Sequence, residues 1–217
     1  MSIILAIDTS FGTSVALIEN GELRAEHNVA DTMKHAELIG SAIEQVLAQA
    51  FVKPSQVTGV VAGRGPAPFT GLRVGIAAAT MFAAGVGIKL YGEVSLDAIA
   101  LAALKSSTAA PNEPLLVTAD ARRKEVYWAL YSGVSEHGVP IRVDGPGVMK
   151  PAELEEYLVN RNVHPSRTQE PVSAANLGLL LEAQLQAGSA SEDVSALYLR
   201  AADAVEPKAR IGKAVSG

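Results

Sequence analysis

The chain of 217 residues has no cysteine, which excludes disulfides, thiolate catalysis and cysteine-ligated zinc and permits a reducing compartment. Positive charge is in the minority: 18 Lys and Arg stand against 23 Asp and Glu, a net charge of −5. Nucleic-acid binding usually demands a basic face, so an RNA role is expected to run through a partner. The longest apolar run, residues 74–88 between Arg73 and Lys89, falls short of the roughly 20 residues that span a bilayer. The opening M-S-I-I-L-A-I-D lacks the basic leader and cleavage site of a signal peptide and reads as a buried first strand. A cytoplasmic protein without membrane contact is the expectation. No G-x-S-x-G elbow and no Walker loop ending in G-K-[ST] is present, and no Ser/His/Asp spacing stands out.

What is there is a regular alternation of strand and helix patterns, long enough to bury a core. Residues 3–8, 13–19 and 22–29 read as strands, the last two joined by the hairpin signal Asn20-Gly21. From Asp31, the expected N-cap, a helix of about five turns carries Ala36, Ile39, Gly40, Ile43, Val46, Leu47 and Ala50 on one side. A buried strand over 57–62 follows, then the loop G-R-G-P-A-P-F-T-G-L-R, a second helix over 70–86, a strand near 88–93 and a helix capped by Ser95. The polar, proline-containing stretch 106–113 is the expected boundary between an N-terminal lobe, 1–105, and a C-terminal lobe, 114–203, with a loose tail over 204–217. The second lobe repeats the start: L-L-V-T-A-D is again a strand ending in Asp120, a short turn follows, and 125–131 is again a strand. Its one clear amphipathic helix is expected at 173–187. This predicts a duplicated α/β architecture whose second copy is reduced.

Asp8, Thr9 and Ser10 end a strand where the chain turns. There a carboxylate can hold a metal-bound water while hydroxyls and backbone N–H groups face a phosphate; equally, all three are ordinary turn residues. His35 is followed at the fourth position by Ile39, so the paired helical histidines that chelate a metal are missing. It reads either as a partly exposed residue at the helix start, near Asp31, or as a contact to a partner. Arg122, Arg123 and Lys124 form a basic turn in an acidic chain, either solvated or facing a partner's acidic patch or tRNA phosphate. Tyr127, Trp128 and Tyr131 alternate as strand residues and read as core.

Four segments in order, I-L-A-I-D-T-S, G-R-G-P-A-P-F-T-G-L-R-V-G, D-A-R-R-K-E-V-Y and A-L-Y-L-R, together resemble the TsaB (YeaZ) family. The resemblance covers residues 3–203. It implies the two-lobed actin-like, sugar-kinase-like fold with a reduced second lobe, and a role in making threonylcarbamoyladenosine, the modified base beside the anticodon. It also implies that the chain is not the catalyst: TsaD transfers the threonylcarbamoyl group, and TsaE, an ATPase, joins the complex. It implies no metal and no cofactor of the chain's own, with ATP or ADP at the complex interface as an option. A small ATP-dependent enzyme or a glycoprotease-like metallopeptidase is the alternative. The middle motif matches the family at Gly65, Pro66, Phe69, Thr70 and Arg73 and departs at Ala67 and Pro68, where the family has glycine and serine. That departure removes a hydroxyl and an N–H that a phosphate would use. Arg73, in the first helical turn, gains nothing from the dipole and is expected to pair with an acid elsewhere.

The second helix is apolar all round, with Leu72, Val74, Ile76, Met81, Phe82 and Val86, and so is expected to be buried all round. Gly71, Gly75, Ala79 and Ala83 form a small-residue stripe on it that admits another helix. The first helix offers a charge-poor flank of Leu38, Ala42, Gln45 and Gln49. With the resemblance, these eight residues become the expected docking surface for TsaD, or for a second copy of the chain when TsaD is absent.

Overall fold

Six consecutive buried residues, Ile3–Asp8, make β1 the middle of a sheet rather than its edge. In the computed structural model, which describes residues 1–30, 34–67, 69–106 and 113–200, β1 lies between antiparallel β2 (Thr13–Glu19) and parallel β4 (Gly59–Gly63). The full order is β3-β2-β1-β4-β5, with β3 at Glu22–Val29 and β5 at Lys89–Glu93. Asn20 and Gly21, at φ 50° and 82°, close the β2–β3 hairpin in the left-handed conformation that suits the sheet's twist.

The pleat of β1 divides the core. Ile3, Leu5 and Ile7 face α1 (His35–Gln49) and α2 (Phe69–Val86), meeting Ile39, Val46, Ala79 and Ala83. Ile4 and Ala6 face the opposite way, toward α3 (Ser95–Lys105) and α5 (Ala174–Ala187), meeting Ala98, Leu177 and Leu181. A Cβ on Gly178 would stand 2.5 Å from the Ile18 side chain, so glycine there lets α5 lie close on the sheet. The helix of 174–187, late in the chain, thus covers the first sheet.

A second sheet has the order β8-β7-β6-β9, with β6 at Leu115–Asp120, β7 at Val126–Val134, β8 at Pro140–Met149 and β9 at Ser166–Thr168. Leu115 and Val117 pack toward Leu96, Ile99 and Ala103 of α3, while Leu116 packs with Trp128 against Leu154 and Leu158 of α4 (Pro151–Asn160). Helix α3 therefore serves both sheets, and its Asp97 carboxylate accepts from Tyr131 (2.6 Å) and from Arg142 (2.9 and 3.1 Å) across the junction.

Several expectations change. The second half holds β8, α4 and β9 besides the one helix read from sequence. β8 is an exposed edge whose alternation is interrupted by Gly145 and Pro146, β9 has three residues, and α4 buries only Leu154 and Leu158. Helix α1 has 15 residues, about four turns, and its buried side is His35, Ile39, Ala42, Val46 and Leu47. Ala36 and Gly40, counted toward the core from sequence, are exposed, because residues that small carry too little apolar surface to set a helix's rotation. The described N-cap is Lys34, without a side-chain hydrogen bond; Asp31 lies outside the described residues, as do Pro68, most of the proposed linker and the tail. Helix α2 is not buried all round: Leu72, Gly75, Ala79 and Ala83 face inward, while Arg73, Ala77, Thr80, Met81 and Ala84 are exposed. Among the described residues no helix is long and apolar enough to cross a membrane.

Candidate functional site

β1 delivers Asp8 to the junction of three elements, and the protein closes around it. The carboxyl is 1% exposed; Oδ2 accepts from Ser95 Oγ at 2.6 Å and Oδ1 from the Ser10 amide at 2.7 Å. Ser10 Oγ and Ser95 Oγ share a further bond of 2.8 Å, and the Gly65 amide donates to Ser95 Oγ at 3.2 Å. A Cβ on Gly63 would lie 1.7 Å from Asp8 Oδ2, so only glycine at the end of β4 leaves the carboxyl room. Burial pushes the Asp8 carboxyl upward, against the hydrogen bonds from Ser95 and Ser10 and the proximity of His35. Ser95 is therefore not the cap of α3: the N-cap residue is Val94, without a side-chain bond, and the serine hydroxyl turns to Asp8 instead.

Thr9 and His35 are enclosed in the same way. Thr9 Oγ1 donates to the Gly71 carbonyl at 2.8 Å and accepts from the Gly75 amide at 3.0 Å. A Cβ on Gly75 would stand 2.3 Å from that oxygen, which explains the glycine. His35 is buried, bonded through Nδ1 to Thr13 Oγ1 at 2.9 Å, and a Cβ on Gly71 would come within 2.8 Å of its Nε2. It is neither a partly exposed helix-start residue nor positioned on the surface for a partner; it wedges β2 against α2.

Beside these residues lies a cavity of about 300 Å³ lined by Asp8, Phe11, Thr13, Asn28, Val172 and Ser173 among others. Among the described residues its lining includes no Lys or Arg. Several of its polar side chains bond to the protein itself: Ser14 Oγ with Asn28 Oδ1 (2.5 Å) and the Ala174 amide (2.8 Å), Thr13 with His35, Asp8 with Ser95 and Ser10. A nucleotide's phosphates call for N–H groups or cations aimed at them, and the described lining offers no cationic side chain. Among the described residues no group of His, Cys, Asp and Glu could hold a metal.

The glycine-rich loop is occupied by the chain's own later segment. The Leu197 amide donates to the Arg64 carbonyl at 2.7 Å, and the Ser95 amide to the Gly65 carbonyl at 2.8 Å. Arg64 donates through one guanidinium nitrogen to the Asp193 carbonyl (2.9 Å) and carboxylate (2.6 Å). Pro66 and Ala67 are buried; the side chains of Phe69 and Thr70 lie outside the description. Arg73 reaches the later segment. Its Nε donates to the Tyr198 hydroxyl at 2.8 Å, and its guanidinium lies 5.6 Å from that ring's centre. Leu199 packs into the second core, and Arg200 pairs with Glu125 and donates to the Ala121 carbonyl at 3.2 Å. The four motif segments thus hold one another.

The eight residues read as a docking surface divide. Gln45 and Gln49 are exposed and Leu38 is half-buried, but Ala42, Gly75, Ala79 and Ala83 lie in the chain's own interior and Gly71 faces Thr9 and His35. The small-residue stripe admits β1 and its turn rather than a foreign helix. The outward face of α2 is Ala77, Thr80, Met81 and Ala84, with Met81 73% exposed. Sequence reasoning also missed Glu93, buried at the end of β5, where Gln184 Nε2 reaches one oxygen at 2.9 Å and the other has no partner. Burial pushes its carboxyl up to about 8.

Two mixed sheets joined through a shared helix, with the second lobe small, define the actin-like, sugar-kinase-like α/β class. A solved structure described as an uncharacterized protein with similarity to peptidase YEAZ from Pseudomonas aeruginosa aligns with a TM-score of 0.77 at 26% identity, covering 92% of this chain and 100% of that one. A structure of YeaZ from the same organism aligns at 0.75 and 25%. The family TsaD, tRNA N6-adenosine threonylcarbamoyltransferase, matches residues 29–199. The tRNA threonylcarbamoyladenosine biosynthesis protein TsaB of Escherichia coli is 32% identical over 71% of this chain and 65% of its own length. An uncharacterized protein of Mycobacterium leprae is 36% identical, and the chain spans 41% of its length. The chain belongs to the TsaD family in the wide sense and, within it, to the TsaB/YeaZ branch.

Proposed function

We propose that this chain is a non-catalytic scaffold or activating subunit for threonylcarbamoylation of the adenosine beside the anticodon in tRNA, working in the cytoplasm on a TsaD-type transferase with a TsaE-type ATPase. The observation that carries the reading is the enclosure of Asp8 by Ser95, Ser10 and Gly63: the strand-end carboxylate that would serve phosphate chemistry is bonded to the protein itself. The chain then contributes surface rather than chemistry. We assign the docking surface to Leu38, Gln45 and Gln49 of α1 with Ala77, Thr80, Met81 and Ala84 of α2, a charge-poor face beside the exposed Phe51. Burying about 800 Å² of it would make a standard-sized interface. The same face joins two copies when the transferase is absent, and a nucleotide, where one binds, sits at the junction with the partner. Co-purification with the transferase, read by mass, together with nucleoside analysis of tRNA from depleted cells, tests the reading. It predicts a complex and loss of the modified base; neither complex nor loss overturns it.

A further inference from the structure

A second cavity, separate from the one beside Asp8, lies on the second sheet. It has a volume of about 270 Å³ and sits between the carboxyl ends of the parallel strands β6 and β9 and the first turns of α4. Ligands of α/β folds are commonly held at such strand ends. The volume, just below the usual range of ligand pockets, confines the occupant to a small molecule.

The lining has three parts. Val126, Pro151 and Leu154 form an apolar wall. Thr118 of β6 is only 8% exposed and faces the cavity, and its hydroxyl has no hydrogen-bond partner among the described residues. A hydroxyl enclosed in this way calls for a polar group opposite it. At the mouth, Arg167 of β9 meets Glu155 of α4 end to end, Nη1 donating to Oε1 at 2.5 Å and Nη2 to Oε2 at 2.8 Å. Both side chains are half exposed. The pair engages two of the five guanidinium N–H groups. The fork of Nε and one Nη has no partner among the described residues, and each carboxylate oxygen keeps a lone pair.

We propose that this cavity binds a free α-amino acid with a small polar side chain. A ligand with a single negative charge would be drawn to Arg167 but repelled by Glu155, and one with a single positive charge the reverse. A zwitterion meets each with the opposite charge. Its carboxylate takes the second guanidinium fork and its ammonium group donates to Glu155, so the ion pair persists in the complex. The ligand's Cβ then lies along Val126 and Leu154, and a side-chain hydroxyl or amide meets Thr118. The site belongs to the second lobe and stands independently of the scaffold reading.

The test is titration calorimetry of the full chain with L-serine, L-threonine and L-asparagine. At least one of the three is expected to bind one to one with a Kd below about 1 mM. Its N-acetyl derivative, which lacks the ammonium group, and its carboxamide, which lacks the carboxylate, are each expected to bind at least about tenfold more weakly. Arg167→Gln is expected to weaken binding of the parent amino acid by at least about tenfold, and Thr118→Val by about threefold or more. Melting curves of both variants that coincide with wild type show the fold intact. The derivative series uses the wild-type protein alone and decides the matter even where a variant fails to fold. No binding of any of the three up to about 10 mM overturns the proposal. So does binding that Arg167→Gln leaves unchanged, which would put the ligand elsewhere. An N-acetyl derivative that binds as well as its parent would make the cavity a site for simple carboxylates and likewise overturns it.

Discussion

Ser95 Oγ donates a hydrogen bond of 2.6 Å to Asp8 Oδ2, joining the start of α3 to the end of β1 across 87 residues of sequence. The same hydroxyl meets Ser10 Oγ and the Gly65 amide, so one serine completes a buried knot. Ser95→Ala leaves a buried carboxyl and a buried amide short of a partner and is expected to cost about 1–3 kcal/mol. Urea unfolding of the purified variant measures this directly.

The inward stripe of α2 and its outward face separate folding from association. Gly75→Leu drives a side chain into Thr9 and is expected to destabilise the monomer by about 1–3 kcal/mol or more, since overpacking a closed core costs that much. Met81→Glu, on the exposed face, is expected to leave the melting temperature within about 2 °C of wild type and to weaken self-association or transferase binding at least tenfold. Scattering-coupled gel filtration beside thermal melts distinguishes the two. A Gly75→Leu variant that melts like wild type but fails to associate would restore the stripe as an interface.

Glu93 gives the fold a pH dependence of definite sign. Its carboxyl titrates near 8 when folded against 4.5 as an ordinary side chain, so the native state binds its proton more tightly than the unfolded state. The associated stability is fully present below about 4.5, declines as pH rises toward 8 and is absent above it. Asp8 and Asp97, raised mainly by burial, act in the same direction. Glu93→Gln is expected to flatten the fall in stability between pH 5 and about 8, read as unfolding free energy at a series of pH values. A wild-type curve that rises across this range contradicts the assignment.

The segment that binds the glycine-rich loop is held chiefly by Arg64, Tyr198 and Arg200. Arg64→Ala removes both bonds to Asp193 and is expected to raise local opening, so that limited proteolysis within 189–200 becomes about tenfold faster while global unfolding shifts less. Equal cleavage rates would show that the remaining contacts, among them Arg73–Tyr198, Arg200–Glu125 and Lys89–Glu192, hold the segment without the Arg64 side chain.

The strands of the first sheet, α2 and the duplicated hairpin were legible because apolar alternation and the Asn20-Gly21 turn depend only on near neighbours. The rotation of α1 was not, since Ala36, Gly40 and Ala42 differ too little in apolar surface to say which faces the sheet. Nor was the closure of Asp8, where Ser95 and Gly63 arrive from elements far along the chain and both residues have ordinary local readings as cap and strand. Glycines raised the same difficulty. Gly71 and Gly75 have helical spacing with Ala79 and Ala83, a pattern shared by foreign-helix docking and by close approach to the chain's own Thr9, and only the fold distinguishes them. The contact of Arg73 with Tyr198 was out of reach because the two lie 125 residues apart and Tyr198 sits in a segment without periodicity.

The central claim is that the chain serves tRNA modification through its surface and not through Asp8. Asp8→Asn tests it most directly, because the amide keeps the carboxyl's shape: its oxygen can accept from the Ser10 amide and its nitrogen can donate to Ser95 Oγ. The measurement is the threonylcarbamoyladenosine content of tRNA from depleted cells complemented with this variant. Wild-type levels of the modified base are expected. Loss of the base from cells whose variant protein is folded and bound to the transferase would contradict the account.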